Sequence, residues 1–243
     1  MATTRGKFPG FPAEGMAFLR NLKKNNDREW FLLRKPIFEE KVRQPIIELV
    51  TAIHGEMLRF APDYVGEPAK CVYRIYRDTR FSKDKTPYKT FASALMMRHG
   101  FVKNEGSAGI YFAVSPENIE VAGGIYMPDR DVLLAVRQQV ADNHKQFRAT
   151  FANAKVRKLF GELWGESITR IPKGFDANHP AADLIRRKHY VLSASLDPKL
   201  ATTPKLFTEI VARIEAMMPF IEFLNQPLLR RKTKQRREEK FLR

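Results

Sequence analysis

Apolar residues near the start of the chain recur at helical spacing. Met16, Leu19 and Leu22 share one face, so a helix is expected after the turn-rich entry Phe8-Pro9-Gly10-Phe11-Pro12. Asn25-Asn26-Asp27 breaks that pattern, and Asp27 is a suitable N-cap for a short helix carrying Trp30 and Phe31. Val42, Ile46, Leu49, Ile53 and Leu58 predict a longer helix from about Pro36 to Phe60, which Pro45 should kink or split. The middle of the chain changes period. Val72 to Arg77 and Thr90 to Met97 read as strands, and Gly109 to Val114 with Ile119 to Gly124 reads as a hairpin. Ser115-Pro116-Glu117-Asn118 supplies its turn, and Gly123-Gly124 predicts a bulge or a close backbone approach.

Helical periodicity then returns. Val132, Leu133, Val136 and Val140 mark a helix capped by Asp129 or Asp131, and Phe147, Phe151, Val156 and Phe160 mark one or two more. Ile171 to Phe175 is an extended loop, and His179-Pro180 predicts a short helix with proline in its first turn. Tyr190 to Ser195 is a further strand candidate. Ile210, Ile214, Met217, Phe220 and Leu224 form the stripe of a last helix, which Pro227 should end or kink. The order predicts an α+β fold: a central antiparallel or mixed sheet from the middle third, with helices from both ends packed on it. Residues 1–229 are expected to form one domain, followed by a basic tail over 230–243.

Composition narrows the class. At 243 residues and 44% hydrophobic content the chain has ample material for a core. One cysteine, Cys71, excludes an internal disulfide and points to a reducing compartment, the cytoplasm. No apolar run reaches the roughly 18 residues that span a bilayer, and the first residues lack a secretory pattern, so no membrane insertion is expected. The five histidines show no metal-ligand spacing, and no phosphate-cradling glycine motif appears, so neither a metal nor a cofactor is expected.

Charge changes the picture most. The net charge is +16, and it is concentrated. Residues 71–103 hold eight basic and two acidic residues, and residues 230–243 hold the same, leaving the other 196 residues only +4. Local excess of this kind favours phosphate-rich partners. Within the first concentration lie Arg74, Arg77, Arg80, Lys83, Lys85 and Lys89, against Asp78 and Asp84. A strand feeding a cationic loop would present guanidinium forks and lysine point charges to an anion, with loop amides and the Thr79, Ser82 and Thr86 hydroxyls completing a pocket. Tyr73, Tyr76, Phe81 and Tyr88 interleave with these cations, the composition of a base-stacking surface. The competing reading is an internal lattice in which Asp78 and Asp84 pair with the arginines and stitch loop to sheet.

The same segment resembles the signature of an uncharacterised family, domain of unknown function 2461. That signature is an Arg-x-x-Arg-Asp-x-Arg-Phe core followed by Asp or Asn, Lys and Tyr. Here the matching residues are Arg74, Arg77, Asp78, Arg80, Phe81, Asp84, Lys85 and Tyr88. The resemblance extends to Arg28-Glu29-Trp30-Phe31, to Gly-Gly-Ile-Tyr at 123–126, and to Pro172-Lys173-Gly174-Phe175-Asp176 with His179-Pro180. It covers nearly the whole chain and implies no established activity. The basic tail looks like an extension beyond the shared part.

Three functions fit these residues. The first is a polyanion-binding protein for nucleic acid or nucleotide, using Arg74, Arg77, Arg80, Lys83, Lys85, Tyr88 and Lys89, with Lys173 as a further anion contact. The second is an enzyme on a phosphorylated or carboxylated small molecule, with Asp78, Asp84 or His179 moving a proton. The third is a scaffold braced by ion pairs. The sequence leaves the oligomeric state open.

Overall fold

Nine α-helices and four strands account for most of the described residues, which are 7–101 and 106–241, with side chains through Thr233, in a computed structural model. Helix α1 (Ala13–Lys24) buries Met16, Leu19 and Leu22 as their spacing predicts. Helix α2 (Arg28–Phe38) opens on Asp27, whose carboxylate accepts the Trp30 N–H at 2.8 Å. The interruption expected at Pro45 takes the form of a π-turn over Glu39–Arg43: α2 runs through Pro36 into it, and α3 (Gln44–Met57) follows. The π-turn sits immediately ahead of Pro45, which has no N–H to continue the ladder. Gln44 instead donates back to Glu39 O, and Pro45 occupies the first turn of α3, where its missing donor costs least. A one-turn helix, α4 (Pro68–Cys71), leads to the middle of the chain.

The sheet contains β1 (Ala92–Met97), β2 (Gly109–Val114), β3 (Ile119–Ile125) and β4 (Tyr190–Leu196), antiparallel and in the order β1-β2-β3-β4. Sequence order equals spatial order through all four strands, although β3 and β4 are separated by four helices. At the β2–β3 turn Ser115 Oγ accepts the amides of Glu117 (3.2 Å) and Asn118 (2.9 Å). The expected strand from Val72 to Arg77 is not one. It is reduced to two isolated pairings, Val72 with Ala94 and Tyr76 with Tyr88.

Between β3 and β4 lie α5 (Arg130–Asp142), α6 (His144–Ala152), α7 (Ala154–Phe160) and α8 (Ala182–Ile185). Asp129 caps α5 through the Val132 amide at 2.8 Å, and Asn153 caps α7 through Val156 at 2.9 Å. The short helix expected at His179-Pro180 starts later, at Ala182, and has four residues. Helix α9 (Lys205–Phe241) continues through both Pro219 and Pro227, so Pro227 does not end it. Loss of one helical bond there is offset by apolar burial on either side, at Leu224 and Leu228. The basic tail is thus backbone-continuous with α9 as far as Phe241. The tail side chains from 234 onward lie outside the described residues.

The chain divides into two compact units. One comprises Met1–His99, Tyr111–Val121 and Ser195–Glu215; the other comprises Gly100–Ile110, Ala122–Ala194 and Ala216–Arg243. The first unit's core includes Leu19, Leu22, Phe31, Ile46, Leu49 and Ile53, all at most 1% exposed. The second unit centres on Phe147, whose ring stacks on Phe220 at 5.5 Å and meets Phe223 at 4.9 Å and Tyr190 at 5.8 Å. Asn225 is fully buried there. Its side chain satisfies both backbone groups of Ala108, accepting from the amide at 2.9 Å and donating to the carbonyl at 3.1 Å.

Gly123 and Gly124 mark a close approach rather than a strand end. A side chain at Gly124 would put its Cβ 2.0 Å from Tyr190 O, and the residue has φ +130°, a region that favours glycine. Gly124→Ala should therefore destabilise the protein by about 1–3 kcal/mol or more, as overpacking and backbone strain combine. Chemical denaturation of wild type and variant side by side gives the number.

Candidate anion-binding site

Residues 74–89 form a hairpin-like excursion from the first unit, held at its base by Tyr76 and Tyr88. Arg77 N donates to Pro87 O at 2.9 Å, and Lys89 N donates to Ile75 O at 2.8 Å. The reciprocal bond of the Arg77–Pro87 pair would need an amide hydrogen on Pro87, which has none, so pairing stops there and the chain opens into a loop. Within the loop Asp84 Oδ1 accepts the Thr86 amide at 2.9 Å and the Thr86 hydroxyl at 2.8 Å.

Two interactions anchor the excursion to the core. The Tyr88 ring is 2% exposed and stacks on Phe31, with centroids 4.2 Å apart. Asn26 clamps the Tyr88 backbone, donating to its carbonyl at 2.9 Å and accepting its amide at 3.0 Å. Tyr88 thus belongs to the core rather than to the cationic surface on which the sequence placed it. By sequence Asn26 belongs only to a helix break. Its spacing from Tyr88, 62 residues, left no local signal of the clamp.

Beyond the anchor the charges are exposed but not all idle. Arg77 pairs with Asp84 and also donates to the Thr86 hydroxyl. Arg80 makes a bidentate pair with Asp78, Nε to Oδ1 at 3.0 Å and Nη2 to Oδ2 at 2.8 Å. These bonds hold both carboxyls well below their ordinary value of 3.8. Asp78 is lowered to about 2 chiefly by the Arg80 side chain, and Asp84 to about 2 by the Thr86 amide and then Arg77. Lys85 Nζ donates to Thr79 O at 2.9 Å. Lys89 lies over the Tyr73 ring at 4.8 Å. Arg74 and Lys83 are exposed and form no ion pair among the described residues. The guanidiniums of Arg77 and Arg80 are matched but not sealed from water, with side chains 26% and 76% exposed. Phe81, 94% exposed, caps the loop beside Arg80.

The remaining candidates sit in the second unit. Lys173 is exposed in a turn. His179 Nδ1 accepts the Ala181 amide at 3.0 Å, and Asp176 Oδ1 accepts the Asn178 amide at 2.9 Å. Both side chains close turns ahead of α8, and neither caps that helix. Asp176 does not bond His179's ring among the described residues; His144 packs edge-on against that ring, with centroids 5.8 Å apart. Among the described residues no three His, Cys, Asp or Glu side chains gather into a metal-ion set. No described helix is long and apolar enough to cross a membrane.

A family model described as "Conserved hypothetical protein (DUF2461)" matches residues 14–223. The chain belongs to the DUF2461 family. The match begins within α1 and ends inside α9, so it takes in the cationic excursion, all four strands and the anchor residues Asn26 and Phe31. Residues 224–243, including the basic tail, lie beyond it. No curated protein and no solved structure matches the chain. The family description names no activity, so the chemistry of this DUF2461 protein must be read from its own residues.

Two outcomes test this account of the site. Asn26→Ala leaves two Tyr88 backbone groups without partners and should cost about 1–3 kcal/mol, seen as a lower melting temperature and faster hydrogen exchange at the Tyr88 amide. Because the folded values of Asp78 and Asp84 lie below their unfolded ones, the stability they lend is complete above about pH 4. It is lost as pH falls toward 2. Carboxyl-carbon NMR titration should put both midpoints near 2, against 3.8 for an unpartnered aspartate.

Proposed function

We propose that this DUF2461 protein binds phosphate-bearing polyanions, nucleic acid or nucleotide, through the exposed excursion at 74–89. The observation that carries the reading is a charge mismatch. Six cationic side chains share the excursion with two carboxylates, and each carboxylate is already committed to one arginine. That leaves Arg74 and Lys83 exposed without an ion pair, and Lys85 held only by a carbonyl. Arginines pre-set by Asp78 and Asp84 keep outward N–H groups at low entropic cost, a geometry suited to phosphate oxygens. The reading places the protein in the cytoplasm, where such ligands abound and a lone cysteine stays reduced.

The scaffold reading has one observation in its favour: Arg77, Asp84 and Thr86 form a closed set of bonds that braces the loop without any ligand. The enzyme reading is weaker. Carboxyls held near 2 carry no proton at neutral pH and are poor bases, and the Nδ1 of His179 is occupied by a backbone amide.

Arg74→Ala/Lys83→Ala separates the first two readings, because it removes unpaired cations and leaves the brace intact. Titrations with duplex DNA, RNA and polyphosphate should show weakened binding. The plot of log affinity against log salt on duplex DNA should become shallower by up to about 1.8, roughly 0.9 for each lost phosphate contact. Unchanged affinity and slope would leave the scaffold as the function of the motif.

A further inference from the structure

The second unit carries an aromatic cluster that faces water. Tyr126 and Trp164 are 62% and 49% exposed, and with His189 they form a three-ring group. Tyr126 stacks on His189 with centroids 5.3 Å apart, and Trp164 lies 5.9 Å from each of the other two rings. Met127, also exposed, adjoins them. Isolated exposed aromatics are ordinary, but three in mutual contact form a broad apolar surface left open to solvent.

The cluster is rigidly built. Trp164 pairs with Val191, its amide donating to Val191 O at 2.9 Å, and Ser167 pairs with Arg187. The Arg187 guanidinium closes over the turn beneath the indole, donating to the carbonyls of Leu163 (2.8 Å), Trp164 (3.3 Å) and Gly165 (3.3 Å). His189 is fixed from two sides. Its Nδ1 accepts the Met127 amide at 3.1 Å, which holds Met127 at φ 45°. On the other side lies Gly165, at φ +110°, where even a Cβ would press to 3.1 Å from the imidazole. A surface whose rings are fixed before binding loses little entropy when a planar guest lies on it.

The surrounding charge selects the guest. Arg186, Arg187 and Lys188 lead directly into His189. Neither Arg186 nor Arg187 forms an ion pair among the described residues, and Arg186 Nε is buried with no acceptor. The nearby carboxylate Glu166 is closed on Lys188 at 2.7 Å. A cationic guest would be repelled by this set. A neutral sugar could use the exposed Glu162 but would draw nothing from the excess positive charge. A planar ring attached to phosphate suits both the aromatic faces and the positive charge.

We infer that Tyr126, Trp164 and His189 form a stacking platform for the bases of a single-stranded nucleic acid. Rings stacked on such a surface are bound through their π-faces, so the platform tolerates any base sequence, and the positive charge around it attracts the phosphates of the backbone. The inference deepens the polyanion reading by naming a ligand class, but it rests on different residues in a different unit and can hold or fail separately.

The test uses the full chain with Trp30→Phe, which leaves Trp164 as the single indole, titrated with a short oligothymidylate, with inorganic polyphosphate and with a neutral oligosaccharide. Oligothymidylate should quench Trp164 fluorescence, while polyphosphate and sugar should not. Tyr126→Ala and Trp164→Ala should each lower oligothymidylate affinity about tenfold or more and leave polyphosphate affinity unchanged. Trp164→Phe should keep most of the affinity, which guards against misfolding of the alanine variant, and melting curves check each protein. Absence of quenching by the oligonucleotide, equal losses for polyphosphate, or quenching by the sugar alone would overturn the platform. Arg74→Ala/Lys83→Ala should retain the quenching even if the loop proves to bind nothing, so the two readings are judged apart.

Discussion

The side-chain amide of Asn26 bonds both backbone groups of Tyr88, and the cationic excursion depends on that clamp. A hairpin with only one bridging pair is far too weakly tied to hold its own geometry in water. Anchoring Tyr88 on Phe31 and Asn26 fixes the base, so that the carboxylate and guanidinium pairs further out can organise the tip. Burial therefore decreases outward, from the Tyr88 ring to a polar brace and finally to Lys83 at the tip, which is exposed.

The two carboxylates of the excursion serve opposite ends of one design. Asp84 braces the loop by accepting the Thr86 amide and pairing with Arg77. Asp78 holds the Arg80 fork in a fixed plane at the surface. Exposed ion pairs of this sort contribute little to stability, typically about 0–1 kcal/mol. Their value lies in geometry, since they limit where the arginines point without cancelling the excess positive charge. A similar economy operates in the second unit, where Arg187 spends its donors on three carbonyls and so immobilises the turn that carries Trp164.

Features with short sequence reach were legible in advance. The caps at Asp27 and Asp129, the Ser115 turn, the α1 stripe and the hairpin of β2 and β3 all depend on residues within a few positions of one another. Misreadings arose where distant or competing partners decided the outcome. Val72 to Arg77 has strand composition, yet its pairing ends where Pro87, opposite Arg77, has no amide hydrogen to donate. Of the two outcomes local rules allow at Pro227, an end or a kink, the end does not occur, since buried neighbours carry α9 through it. Tyr88 looked like a member of a cationic surface, and packing against Phe31 made it core.

The sequence by itself determined the succession of helices and strands, the α+β class and the place where positive charge accumulates, because periodicity, caps and local charge are properties of neighbouring residues. Only the tertiary structure decided which cations are spoken for, which aromatic rings are buried and which face water. The cations' partners are only two to seven residues away but several acids were in reach, while the fate of the rings depends on partners tens of residues distant, such as Asn26 for Tyr88 and Trp164 for Tyr126.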